Sequence, residues 1–151
     1  MKLTKFILAA TLSSLALVGC TKNETTASES TSIKARQDLM QDWRGANEAM
    51  KGMMENPASF DAATFKERAD SIANSTAEMW KHFEGDANKG GQAQDTVWTD
   101  AAAFKAEVDK FNAAAAELSA AAANAKSHSD VEAQFGAMAS TCGSCHKQFK
   151  K

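Results

Sequence analysis

The sequence predicts an all-α domain, an antiparallel up-down-up-down four-helix bundle, over residues 32–151. Three observations predict it. Four segments repeat apolar residues at spacings of three and four, and no stretch alternates as a strand would. The connections between them are short and carry Asn-Pro, Gly-Gly or a capping serine. The last segment ends in Cys142-Gly143-Ser144-Cys145-His146, and on a helix positions i, i+3 and i+4 share one face. Two thiols and an imidazole on one face suit one haem c bonded through thioethers to Cys142 and Cys145, with His146 as an axial iron ligand.

Residues 1–19 read as an export signal rather than as part of the domain. A basic start holding Lys2 and Lys5 precedes the apolar stretch Phe6 to Val18, which is too short for a comfortable membrane span. It ends Leu17-Val18-Gly19-Cys20, which resembles the lipobox of bacterial lipoproteins; Cys20 would then be lipidated and become the first mature residue. The alternative is an ordinary signal peptide cut nearby. Either way the expected location is outside the cytoplasm, periplasmic, and with a lipid at Cys20 it is tethered to a bacterial membrane. One lipid thioether and two haem thioethers use all three cysteines, an odd number for a disulfide framework. Lys2 and Lys5 leave with the signal and no acid does, which takes the formal charge from −2 to −4. Nothing in that balance suggests nucleic acid.

Residues 20–31 are polar, with no aliphatic side chain larger than alanine from Thr21 to Thr31, and read as a flexible linker. The first helix is expected from Ser32 to about Met54, with Arg36, Met40, Trp43, Asn47, Met50 and Met54 on one stripe. Asn56-Pro57 ends it. The second starts near Ser59 to Asp61 and carries Phe65, Ala69, Ile72, Thr76, Met79, Trp80 and Phe83, with Gly85 as a stop. A surface loop over 86–95 follows. The third starts around Trp98 to Asp100 and carries Phe104, Val108, Phe111, Ala115, Leu118 and Ala122. The fourth opens on a capping box, Ser129 to Glu132, and its stripe of Val131, Phe135, Met138, Ala139, Cys142, His146 and Phe149 runs straight into the cysteine motif.

Other chemistry fits less well. A thioredoxin-like CxxC opens a helix after a strand, and a structural zinc wants four ligands where this motif offers three. His82 and His128 lie off the stripes and read as solvated surface residues. No acid–base or nucleophilic constellation is visible, so no catalytic residues and no enzyme activity are expected.

Ile33 to Gln37, Trp80 and Phe83, Val97 to Lys105, and Cys142 to His146 followed by Lys150 together resemble the class II c-type cytochromes, the cytochrome c′ family, over nearly all of residues 32–151. The resemblance implies a four-helix bundle in which the distal haem residue comes from the first helix, four positions after an arginine. High-spin members usually carry leucine or another non-ligating residue there. Here it is Met40, whose thioether can ligate iron and raise its potential, so the chain looks like the low-spin, methionine-ligated cytochrome c-556-like branch. The alternative is that Met40 is one more core methionine. Arg36, one turn earlier, is a cation among apolar neighbours that a haem propionate would satisfy, with Gln37 as a weaker contact; otherwise it is a surface arginine. Trp43, Trp80 and Phe83 are expected to line the distal pocket.

The function expected from this reading is one-electron transfer between redox partner proteins through a His146/Met40-ligated haem. The alternatives are a high-spin protein binding nitric oxide or carbon monoxide on the distal face, and a haem-free helical interaction module. The family also implies homodimers through the first two helices, although no stripe here demands one.

Overall fold

The computed structural model describes residues 24–151, with side chains from residue 31 onward. The export signal and Cys20 lie outside the described residues. Five helices follow one another: α1 (Glu24–Glu55), α2 (Ala62–Lys81), α3 (Thr96–Thr99, a single turn), α4 (Ala101–Ala122) and α5 (Glu132–Phe149). The four long ones form the expected all-α bundle.

Helix α1 begins at Glu24, eight residues before the expected Ser32. The reason is helix cooperativity: once a buried face has nucleated the helix, each added residue forms its own backbone bond, and neither Gly nor Pro interrupts here. Arg36, Trp43, Ala46 and Met50 form the buried face of α1, and Met40 beside them is half-buried. From α2 come Phe65, Ala69, Ile72 and Met79, and from α4 come Phe111, Ala114, Ala115, Leu118 and Ala122. Val131 and Met138 complete the core from the fourth segment. Phe65, Met50, Met79, Leu118, Met138 and Val131 are its fully buried large side chains, each stabilising by at most about 1.5–3 kcal/mol before entropy is counted. Small residues at 114, 115 and 122 let neighbouring helices approach α4 closely.

The connections follow local rules. Pro57 sits in a 3₁₀ turn, and the Asp61 carboxylate accepts from the Thr64 N–H at 2.7 Å to cap α2. Helix α2 gives way at His82, three residues before Gly85, whose φ of 74° needs glycine. Asp100 caps α4 by accepting from Ala103 N–H at 3.2 Å, and its own non-helical backbone separates α4 from the turn α3. The capping box expected at Ser129 to Glu132 is absent. Its reciprocal pair is Ser127 and Asp130, around a 3₁₀ turn, and α5 starts behind Val131 without a side-chain cap. Asp130 prefers the earlier partners because its carboxylate collects the N–H groups of Lys126 and Ser127, both at 2.9 Å.

Among the described residues α1 packs on α2, α2 on α4 and α4 on α5. Helices α1 and α5 instead face each other across a cavity. The chain end ties down its rim: Gln94 N–H donates to the Phe149 carbonyl at 2.8 Å, and Lys151 N–H to the Gln92 carbonyl at 2.9 Å. No helix among the described residues is long and apolar enough to cross a membrane.

Candidate haem site

The cavity between α1 and α5 has a volume of about 390 Å³, within the range of small-molecule and cofactor clefts, and it opens to solvent on one side. All nine residues expected at a haem line it. Cys142, Cys145 and His146 form the α5 wall, Arg36, Gln37, Met40 and Trp43 the α1 wall, and Trp80 and Phe83 come from the end of α2 and the turn after it. Their burial differs from residue to residue. Trp43 and Arg36 are buried, Met40, Trp80, Phe83 and both cysteines are half-buried, and Gln37 and His146 are exposed at the rim. His146 stands on the side of α5 that faces the mouth of the cavity.

Arg36 is 4 % exposed, and its guanidinium donates to the carbonyls of His82 at 3.0 Å, Asn88 at 2.6 Å and Gly90 at 2.6 Å. It also lies 4.9 Å above the Phe83 ring and 5.9 Å from that of Trp98. Carbonyl dipoles therefore share in holding the cation that the sequence assigned to a propionate alone. The loop over 86–95 is shaped to this side chain. Gly91 has φ 61°, and a Cβ there would lie 3.0 Å from Ile33 Cγ2 and 3.4 Å from Arg36 Nη2. His82 and His128 are partly exposed, and His82 Nε2 lies 3.3 Å from a Glu78 carboxylate oxygen.

An aromatic wall closes the inner side. Trp43 stacks on Phe111 with centroids 4.7 Å apart and meets Trp80 edge-on at 5.6 Å; Phe104 bridges Phe83 and Phe149, each at 5.3 Å. The indole N–H groups are all satisfied: Trp43 donates to Ser75 Oγ, Trp80 to Asn112 Oδ1 and Trp98 to the Phe83 carbonyl. The sequence reading named Phe104, Phe111 and Phe149 only as stripe residues, although all three line the cavity. Their spacing on stripes that converge on the cysteine motif was the available signal.

Both motif thiols are free. Burial raises the pKa of Cys142, and it raises that of Cys145 to about 11, helped by the negative charge of Glu107 and by Cys142. His146 is held below its ordinary value by burial and then by the charge of Lys150. At neutral pH these groups are two thiols and a neutral imidazole, the protonation state a nitrogen ligand to iron needs. No group of three or more His, Cys, Asp or Glu among the described residues is placed to hold a bare metal ion. Glu107, which the sequence reading passed over, is 5 % exposed on α4 and accepts from the Ser144 hydroxyl at 2.7 Å, inside the motif itself.

The donor set fits the cofactor that the motif implies: two reduced thiols and a neutral imidazole on one wall, aromatic faces on the inner side, and a thioether and a fixed cation on the opposite wall. Fold and site together define a four-helix bundle of the haem c class. The family profile described as cytochrome C′ matches residues 31–150. A cytochrome c′ of Alcaligenes xylosoxydans xylosoxydans is 30% identical over 119 residues, 79% of this chain and 92% of that protein. Two solved variants of cytochrome c prime from Alcaligenes xylosoxidans superpose with a TM-score of 0.75. One is ferrous with bound NO (30% identity, 82% of this chain, 95% of that one) and the other has carbon monoxide bound (28%, 82% and 96%). This chain belongs to the cytochrome c′ family of haem proteins. All three relatives carry the name cytochrome c′, so the likeness reaches the family and does not single out the methionine-ligated branch.

Proposed function

We propose that this chain is an exported haem protein that takes nitric oxide or carbon monoxide on the distal face of a single haem c. The observation that carries this reading is the cavity between α1 and α5, with the Cys-x-x-Cys-His face on one wall and Met40 and Arg36 on the other. Relatives of the same fold with nitric oxide and carbon monoxide bound support it. A haem bound here would supply an iron and its one-electron chemistry. Cys142 and Cys145 would hold it through thioether bonds, His146 would give a nitrogen ligand to the iron, and Arg36, anchored on the loop, presents a fixed positive charge to the cavity. The aromatic wall of Trp43, Trp80 and Phe83 makes one side of the cavity apolar, which favours a small apolar gas over a polar ligand.

A second reading rests on Met40. Its thioether stands on the distal wall, where it can serve as sixth ligand and make the chain a low-spin, c-556-like one-electron carrier between redox partner proteins. Visible spectra of the haem-loaded protein in both oxidation states, with and without carbon monoxide, separate the two. High-spin ferrous spectra that change on adding carbon monoxide support the gas binder. Low-spin spectra in both states, unmoved by the gas, support the carrier; Met40→Ala then converts the protein to a high-spin, gas-binding form. An unchanged spectrum in that variant rules out the thioether as ligand. We read residues 1–19 as the signal that takes the chain to the periplasm and Cys20 as its lipid anchor. Intact mass of the mature protein reports the acyl chains and the haem together.

A further inference from the structure

Glu107 is a buried charge that packing alone does not account for. It projects from α4 between Phe104 and Phe111, on the side that meets α5. Ser144 donates to one of its carboxylate oxygens at 2.7 Å, and Lys110 donates to the other at 2.5 Å. The two charges of the pair sit in different surroundings: the Glu107 side chain is 6 % exposed and that of Lys110 is 64 % exposed. Solvent screens the ammonium far more than the carboxylate, so the pair leaves a negative field on its protein side. Ser144 lies between the two cysteines of the motif and two residues before His146. One turn later Gln148 Nε2 donates to the Ser144 carbonyl at 3.3 Å, which reinforces the same spot.

We infer that Glu107 is a positioning residue for the segment Cys142 to His146, one that pins Ser144 against α4 and lowers the reduction potential of iron bound at His146. The hydrogen bond fixes the rotation of α5 about its axis at the motif, where apolar packing alone would allow a sliding contact. The charge acts because ferric iron carries one more positive charge than ferrous iron, and a buried anion on the proximal side favours the more positive state. This inference rests on the proposed attachment of haem at Cys142 and Cys145.

The test is the midpoint potential of the haem-loaded protein, followed by visible absorption and paired with thermal melting. Glu107→Gln keeps the shape and an oxygen acceptor for Ser144 but removes the charge. It shifts the balance toward ferrous by about fivefold, a rise of about 40 mV at 59 mV per tenfold. Lys110→Met uncovers the carboxylate and moves the potential the opposite way by a smaller amount. Ser144→Ala keeps the charge, lowers the melting temperature and moves the potential less than Glu107→Gln does. An unmoved potential in Glu107→Gln, or a shift of the same sign in Glu107→Gln and Lys110→Met, overturns the inference. Should Glu107→Gln fail to mature, Lys110→Met decides alone: a fall supports the inference, and a rise or no change overturns it. A wild-type protein without haem overturns both this inference and the haem reading, whereas coloured wild type with unmoved variants overturns this one only.

Discussion

At the scale of single residues, Arg36 joins α1 to the loop over 86–95, whose ordered parts are one 3₁₀ turn and the buried Ala93. Its guanidinium donates to the carbonyls of His82, Asn88 and Gly90, and removing it takes a donor from each, leaving that of Gly90 only the long bond from the Ala93 N–H at 3.4 Å. Arg36→Leu is expected to lower stability by roughly 2–4 kcal/mol. Arg36→Lys recovers only part of that, because a point charge on a flexible stem does not reproduce the planar fork. Urea midpoints of the three proteins check the order. Gly91→Ala strains the same joint from the loop side. The left-handed φ costs about 1–2 kcal/mol, and the new methyl presses on Ile33. Arg36 was legible in the sequence as a cation on an apolar stripe, but its partners were not. They are backbone atoms of a loop whose path is set by contacts distant in the chain.

At the scale of elements, two carboxylates, one buried and one half-buried, join α4 to its neighbours. Glu107 reaches α5 through Ser144, and Asp70 on α2 accepts from Ser119 of α4 at 2.6 Å while paired with Lys66. Both carboxyl groups are held below their ordinary pKa. For Glu107 the first cause is the Lys110 hydrogen bond and then that of Ser144; for Asp70 it is Lys66 and then Ser119. A depressed folded-state pKa means that the unfolded chain binds the proton first. The stability these groups give is therefore present above their unfolded pKa and is lost as pH falls through the folded one. The expected outcome is a urea midpoint that drops below about pH 4, and drops less in Glu107→Gln and Asp70→Asn. Both contacts escaped the sequence reading for one reason. A carboxylate three or four residues from a lysine reads as a solvated surface pair, and only the crossing of two helices puts it under cover. Val108, assigned to the stripe of α4, is half-buried while Glu107 beside it is buried. The early start of α1 and the shifted capping box were illegible on a different ground, since helix ends are decided by bonds of about 1 kcal/mol.

At the scale of the whole molecule, the bundle class and the inventory of the site were readable because they rest on long periodic stripes and one compact motif. What periodicity does not carry is which helices touch. Equal stripes on four helices predict a closed ring of contacts, whereas α1 and α5 are held apart by the cavity. Their mutual support has to come from a bound group, and binding only to the folded state stabilises it. Haem-loaded protein is expected to melt at least about 10 °C above a Cys142→Ala, Cys145→Ala form prepared without haem. Calorimetry of the two preparations checks it, and equal melting temperatures would refute it. The separation of the outer helices also has a consequence for how the protein matures. Both thiols and the imidazole line the cavity and not a helix–helix seam, so an attaching enzyme can reach them from its open side after the other three helix contacts have formed. The last side of the bundle then closes on a component that translation does not supply.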